Sequence, residues 1–155
     1  MRAEMVRAYV ETLLEELIGS EKVTPDHDGD YPVRYKSALY FVRLIGDTDP
    51  VVQVFSRAVT DLKGSAKLYE RLNEINATIR FARIFYVAGQ VLVESDLIGQ
   101  TVDREEFDAA ARAVATITDH FGPLLVEAFG GRTAFADDKD GEAPPVDTAK
   151  TGQYL

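Results

Sequence analysis

Apolar positions along the chain switch between a helical period and a period of two. In residues 2–18, Val6, Tyr9, Val10, Leu13, Leu14 and Leu17 recur at helical spacing with glutamates opposite, and Gly19 ends the pattern, which predicts an amphipathic helix. A polar stretch, SEKVTPDHDGD, covers 20–30. The period then becomes two, predicting a short strand near YPVRY, a strong one in ALYFVRLI (38–45) and a third in PVVQVFSRAV (50–59); GDTD (46–49) between the last two is a hairpin-type turn. Helical spacing returns in SAKLYERLNEIN (65–76), where Leu68, Leu72 and Ile75 share one stripe. Two more strands, IRFARIFYV (79–87) and QVLVES (90–95), flank a turn at Ala88-Gly89. Asp103 and Glu106 have the spacing of a capping box and open a last helix with a stripe through Phe107, Ala110, Val114, Ile117 and Phe121. Gly122-Pro123 is expected to kink or restart that helix before LLVEAF, and Gly130-Gly131 to stop it. The order α-β-β-β-α-β-β-α predicts an α+β domain over 1–131, an antiparallel sheet of about five strands flanked by helices. Residues 132–155 are charged, small, Pro- and Gly-rich, the composition of a flexible polar tail.

The alternation assigns each strand two faces, because residues two apart point the same way. One set is uncharged: Tyr40, Val42 and Leu44; Val52, Val54 and Ala58; Ala82, Ile84 and Tyr86; Val91 and Val93. That set predicts the face under the helices. The other carries Phe-x-Arg three times, as Phe41-Val42-Arg43, Phe55-Ser56-Arg57 and Phe81-Ala82-Arg83, joined by Phe85 and Leu92, with Glu94 as a counter-ion. Three readings of this second face stand open. Another part of the chain covers it, and the arginines reach the rim or pair with Glu94 and Asp96. It is a homodimer interface, where aromatic residues and arginine are enriched. Or it is a groove for a partner segment, in which buried phenylalanines supply about 1.5–3 kcal/mol each and guanidinium groups select acidic or carbonyl-rich partners. The register is the exposed point of all three, since one bulge turns a Phe-x-Arg pair over.

Composition narrows the class. With 155 residues, 46% hydrophobic and 28% charged, the chain builds one core without a staple. It has no cysteine, which excludes a disulfide scaffold, a thiolate zinc site and a cysteine nucleophile, and fits a reducing cytoplasm. Glutamates interrupt the N-terminal apolar positions, and no run reaches the ~20 apolar residues of a membrane span. A net charge of −9 argues against general nucleic-acid binding.

Candidate chemistry is sparse. Asp26, Asp28 and Asp30 match the first acidic positions of a calcium loop, but Tyr31 stands where the turn glycine belongs and Ser37 where the bidentate glutamate belongs, so DHDGD is read as a solvated turn and no metal is assigned. His120, beside Asp119, has no second ligand at helical spacing. The sequence contains no GxSxG, GxGxxG, phosphate loop or HExxH. No catalytic residue, cofactor or enzymatic activity is assigned.

The run LYERLNEINATIRFARIFYVAGQVLVESDLIG (68–99) followed by a helix ending LLVEAFGG (124–131) resembles the YbjN and type III secretion chaperone-like (TY-Chap) group of bacterial proteins. In that group an LNxxN helix end leads into a hairpin and then a last helix closing near Phe-Gly-Gly; here these are Leu72, Asn73 and Asn76, the Ala88-Gly89 turn, and Phe129-Gly130-Gly131. The resemblance covers about 3–131 and implies a helix-flanked antiparallel sheet, often dimeric, that binds peptide segments or proteins without catalysis. The long polar tail departs from the secretion-chaperone pattern. Together these readings point to a cytoplasmic bacterial protein-binding module, chaperone-like or regulatory, with homodimerisation and a client of unknown identity. Its partner-binding residues are Phe41, Arg43, Phe55, Arg57, Phe81, Arg83 and Phe85. The alternative is a small-molecule sensor with a pocket between sheet and last helix, drawing on Tyr40, Tyr86 or Asn76. TGQYL at the end of the sequence offers a pseudo-ligand for the arginine-bearing face.

Overall fold

The computed structural model describes residues 2–20 and 22–136. Helix α1 (Ala3–Ile18) precedes strands β1 (Tyr31–Tyr35), β2 (Ala38–Ile45) and β3 (Val51–Val59); α2 (Ala66–Asn76), β4 (Arg83–Val87), β5 (Gln90–Ile98) and α3 (Arg104–Phe129) follow. The strands form one antiparallel sheet in the order β1-β2-β3-β5-β4. The predicted element order and fold class are those observed.

The uncharged face is the core. Val6, Val10, Leu13 and Leu14 of α1, Leu68, Leu72 and Ile75 of α2, and Phe107, Val114 and Leu125 of α3 bury against Tyr40, Val42, Val52, Val54, Ile84, Val91 and Val93. Ser56 is a polar member of that face, and its hydroxyl donates to the Leu39 carbonyl at 2.6 Å. A bulge falls between Arg57 and Val59. Because it comes after Arg57, Phe55 and Arg57 keep a common face.

Helix α3 runs unbroken through Gly122 and Pro123, where the sequence predicts a kink or restart. A proline at 123 has no N–H to donate to the carbonyl of Asp119, four residues back. The Asp119 carboxylate accepts the Ser37 N–H and hydroxyl at 3.0 and 2.6 Å, which leaves the same hydroxyl oxygen 3.4 Å from that carbonyl. The β1–β2 turn is thus tied to the helix at the residue whose carbonyl Pro123 leaves free. Gly122 sits against the sheet, where a Cβ would lie 3.1 Å from the Ala58 carbonyl, so here glycine is a contact residue.

Strand β4 starts at Arg83, four residues later than the alternation predicts. The chain turns at Phe81, whose φ of 65° is left-handed and incompatible with a strand. Asn76, at the end of α2, fixes the start of the strand. Its side-chain amide donates to the Ile84 carbonyl at 2.7 Å and accepts the Ile84 N–H at 2.9 Å, imitating a neighbouring strand at the sheet edge. Strand β5 continues three residues beyond its predicted end, to Ile98, because β3 offers partners down to Val51.

Candidate partner-binding face

The second face is built in rows across the strands. Phe41, Phe55, Glu94 and Arg83 lie in register on β2, β3, β5 and β4, and Arg57, Leu92 and Phe85 form the row beside them. Arg43, Gln53 and Asp96 make a polar row, and Ile45, Val51 and Ile98 an apolar one at the far end. Of the seven sequence-predicted site residues, the structure brings six together here. Phe81 is the exception. It precedes β4, is 71% exposed, and lines a cleft of about 680 Å³ between β5 and the start of α3 with Ser95, Leu97 and Glu106. The alternation that grouped Phe81 with Arg83 and Phe85 fails because the left-handed turn rotates it out of the series.

The face is not uniform. On β2 and β3 the rings of Phe41 and Phe55 stack with centroids 5.2 Å apart and are 1% and 3% exposed. The Arg43 guanidinium lies 4.5 Å from the Phe55 ring, and that of Arg57 lies 5.3 Å from Phe55 and 5.9 Å from Phe41. Arg43 is committed: its Nε and Nη2 donate to the two carboxylate oxygens of Asp30 at 2.8 and 2.6 Å. That hydrogen-bonded pair raises the Arg43 pKa above its ordinary value. Among the described residues Arg57 has no such partner. Its Nη1 is buried without a hydrogen bond, and burial, then the neighbouring Arg43 charge, lower its pKa. On β4 and β5 the face is open: Arg83 is largely exposed, pairs with Glu94 at 2.8 Å and Asp96 at 3.6 Å, and stands 5.2 Å from the Phe85 ring. The expected counter-ions are in place.

Asp30 is the residue that sequence reasoning missed. DHDGD is not a solvated turn. Asp26 Oδ1 accepts the N–H groups of Asp28 and Asp30, both at 2.9 Å, Gly29 adopts φ 83°, and Asp26 and Asp30 are buried. The loop is an Asx-type turn that delivers a carboxylate to Arg43. The available signal was the Asp-x-x-Gly-Asp pattern itself, an Asx turn ending on a second acid.

A second missed feature covers part of the face. After α3, Gly130 and Gly131 adopt φ 95° and 83°, and a Cβ at Gly131 would stand 2.6 Å from Val59 Cγ1. Only glycine passes there. Arg132 then pairs with Thr60 through two backbone hydrogen bonds of 2.9 Å, and Ala134 and Phe135 pack on Leu39, Phe41 and Phe55. The Arg34 guanidinium lies 3.6 Å from the Phe135 ring centre. The chain therefore stays on the domain through Ala136, past the expected boundary at 131; the rest of the expected tail, with TGQYL, lies outside the described residues.

The polar groups proposed for a ligand pocket do not converge. Tyr40 is buried in the core, the Tyr86 hydroxyl donates to the Leu62 carbonyl at 2.9 Å, and Asn76 is occupied by Ile84. Among the described residues no helix is long and apolar enough to cross a membrane.

Residues 4–137 match the family model described as type III secretion system (YopN, CesT) and YbjN peptide-binding chaperone 1, TY-Chap1. Two solved structures share the fold. The ExsC–ExsE complex superposes with a TM-score of 0.58 at 15% identity, covering 76% of this chain and 94% of that one. The Yersinia pestis type III secretion chaperone SycH, in complex with a stable fragment of YscM2, gives 0.52 at 19% identity, covering 70% and 95%. No curated protein matches the sequence.

Proposed function

The chain belongs to the TY-Chap1 family of peptide-binding chaperones, and from that premise we propose that it holds segments of partner proteins on the second sheet face, without catalysis. The observation that carries this reading is the contrast across one sheet: helices fill one face, while the other offers Arg83, Phe85 and the exposed Ile45 and Ile98 beside a Phe41–Phe55 stack. The solved neighbours are a complex of ExsC with ExsE and a chaperone holding a fragment of YscM2, which supports the same use here. Apolar rows favour apolar side chains, and the arginines favour acidic or carbonyl-rich neighbours in the client. Self-association through the same face is part of the proposal, as is a bacterial, cytoplasmic setting, which the cysteine-free composition supports.

Selection of phage-displayed peptides on the full chain tests the client site. Enriched peptides should bind at least tenfold more weakly to an Arg83→Ser, Phe85→Ser variant whose circular dichroism is unchanged. Enriched peptides indifferent to both substitutions would place the site elsewhere. Sedimentation of the same pair tests self-association: a wild-type dimer that becomes a folded monomer supports it, and equal sizes exclude it through this surface.

A further inference from the structure

The strap after α3 is a ligand-like contact that the chain makes with itself. Gly130 and Gly131 turn it onto the sheet, Arg132 pairs with Thr60 through two backbone hydrogen bonds of 2.9 Å, and three residues later Phe135 reaches the second face. The seat it fills is built from sheet residues. Leu39 and the stacked Phe41 and Phe55 rings form the floor, and the Arg34 guanidinium lies 3.6 Å from the Phe135 ring centre. Arg34 and Leu39 are register partners on β1 and β2, as are Phe41 and Phe55 on β2 and β3, so ladder pairing sets the geometry of the seat whatever occupies it. An apolar floor with a guanidinium over the occupant suits an aromatic side chain, through buried area and a cation–π contact. The seat is also continuous with the open half: Phe55 lies in register with Glu94, and Glu94 with Arg83. Strands about 4.8 Å apart put β2 and β4 roughly 14 Å from each other, a span that about four or five extended residues cross.

We propose that this seat is the aromatic subsite of the client face and that Phe135 is its exchangeable internal occupant. A client segment lying across the sheet from β4 places a phenylalanine, tyrosine or tryptophan where Phe135 sits in the free chain. The inference rests on the proposed use of this face for clients. It adds the class of side chain that the face selects and the contact that a client must displace. Segments without an aromatic residue at that position leave the strap in place and engage only the Arg83–Phe85 half.

The strap supplies its own probe, an acetylated and amidated GRTAFA peptide matching residues 131–136. In an isotope-labelled, full-length Phe135→Ser variant with unchanged circular dichroism, this peptide should shift the Leu39, Phe41 and Phe55 amide signals saturably, whereas GRTASA should not. The wild type should need at least tenfold more peptide for the same shifts, because Phe135 competes. No saturable shift in the variant, or equal shifts in both proteins, would overturn the proposal. Aromatic peptides selected by phage display on the full chain should bind at least fivefold more tightly to Phe135→Ser. Indifference would overturn the subsite and leave the Arg83–Phe85 reading intact; a gain in peptides that ignore Arg83→Ser, Phe85→Ser would do the reverse. If Phe135→Ser fails to fold, hydrogen exchange in the wild type decides. The Thr60 and Arg132 N–H groups, which join strap to sheet, should exchange at least a hundredfold faster than the Val54 amide in the central strand β3. Equal protection would mean that the strap opens only with the whole domain, and Phe135 would then be a fixed part of the fold.

Discussion

Both faces of this sheet carry apolar side chains, but they are covered differently. On the helix side, rows such as Val42–Val54 and Ile84–Val93 pack into one hydrophobic core with three helices. On the other side, the aromatic rings of β2 and β3 are covered by arginines and by a short strap, and the half on β4 and β5 stays open. Burial alone therefore does not separate core from site: Phe41 and Phe107 are equally buried. What separates them is the cover. On one side the cover is three helices; on the other it is guanidinium groups and a five-residue strap.

The sharpest way to break the comparison is to truncate one ring on each side. Phe107→Ala removes a fully buried ring under α3 and should cost about 3–5 kcal/mol in urea denaturation. Phe85→Ala, on the half-covered edge, should cost less than about 1 kcal/mol. Equal losses would make the open half part of the core and withdraw it as a binding surface.

The helix side also stores a pH response. Burial, then the nearby Asp108 charge, push the Tyr40 pKa from 10.0 up to about 12. A phenol whose folded pKa is raised contributes stability fully present below pH 10 and lost as pH rises through 12. Two pKa units correspond to roughly 2.7 kcal/mol. Tyr40→Phe should flatten the fall in stability between those limits; Tyr31, also raised by burial, keeps a smaller slope in the variant. An unchanged profile would mean that Tyr40 reaches water near the end of that range.

On the second face the comparable device is the Arg43–Asp30 pair. Asp30 is buried while Arg43 is about one-third exposed, so solvent screens part of the interaction. Asp30→Ala should cost about 1–3 kcal/mol, and a double-mutant cycle with Arg43→Ala should show most of that as coupling. Additive losses would instead assign Asp30's role to its loop.

Periodicity was enough to read element order, the helix-side core and six of the seven face residues, because those depend on alternation within single strands. It failed where a residue's environment is set by something distant in sequence. Asp30 looks solvated until β2 brings Arg43 to it, thirteen residues away. Pro123 looks like a break until Ser37, far back in the β1–β2 turn, ties down Asp119, the residue whose carbonyl the proline leaves free. The Phe-Gly-Gly motif reads as a stop, but its glycines redirect the chain: Gly131 threads between Val59 and Leu62 and sends Phe135 across the sheet. Likewise the Asn76 of LNxxN, readable as helix punctuation, closes the edge of β4.

Phe81 carries the smallest expected effect and the clearest sign. A bulky residue at φ 65° pays about 1–2 kcal/mol for a left-handed backbone, and its ring, 71% exposed, recovers little by packing. Phe81→Gly removes the strain but adds unfolded-chain entropy, leaving a net gain of up to about 1 kcal/mol in urea denaturation. A gain would mean that the strain is kept for something other than folding, and the cleft between β5 and α3 would become a second place to look for clients. A loss of 1 kcal/mol or more would mean that the ring packs against the cleft wall more firmly than its exposure implies, making Phe81 a structural residue of the helix side and removing it from any account of partner binding.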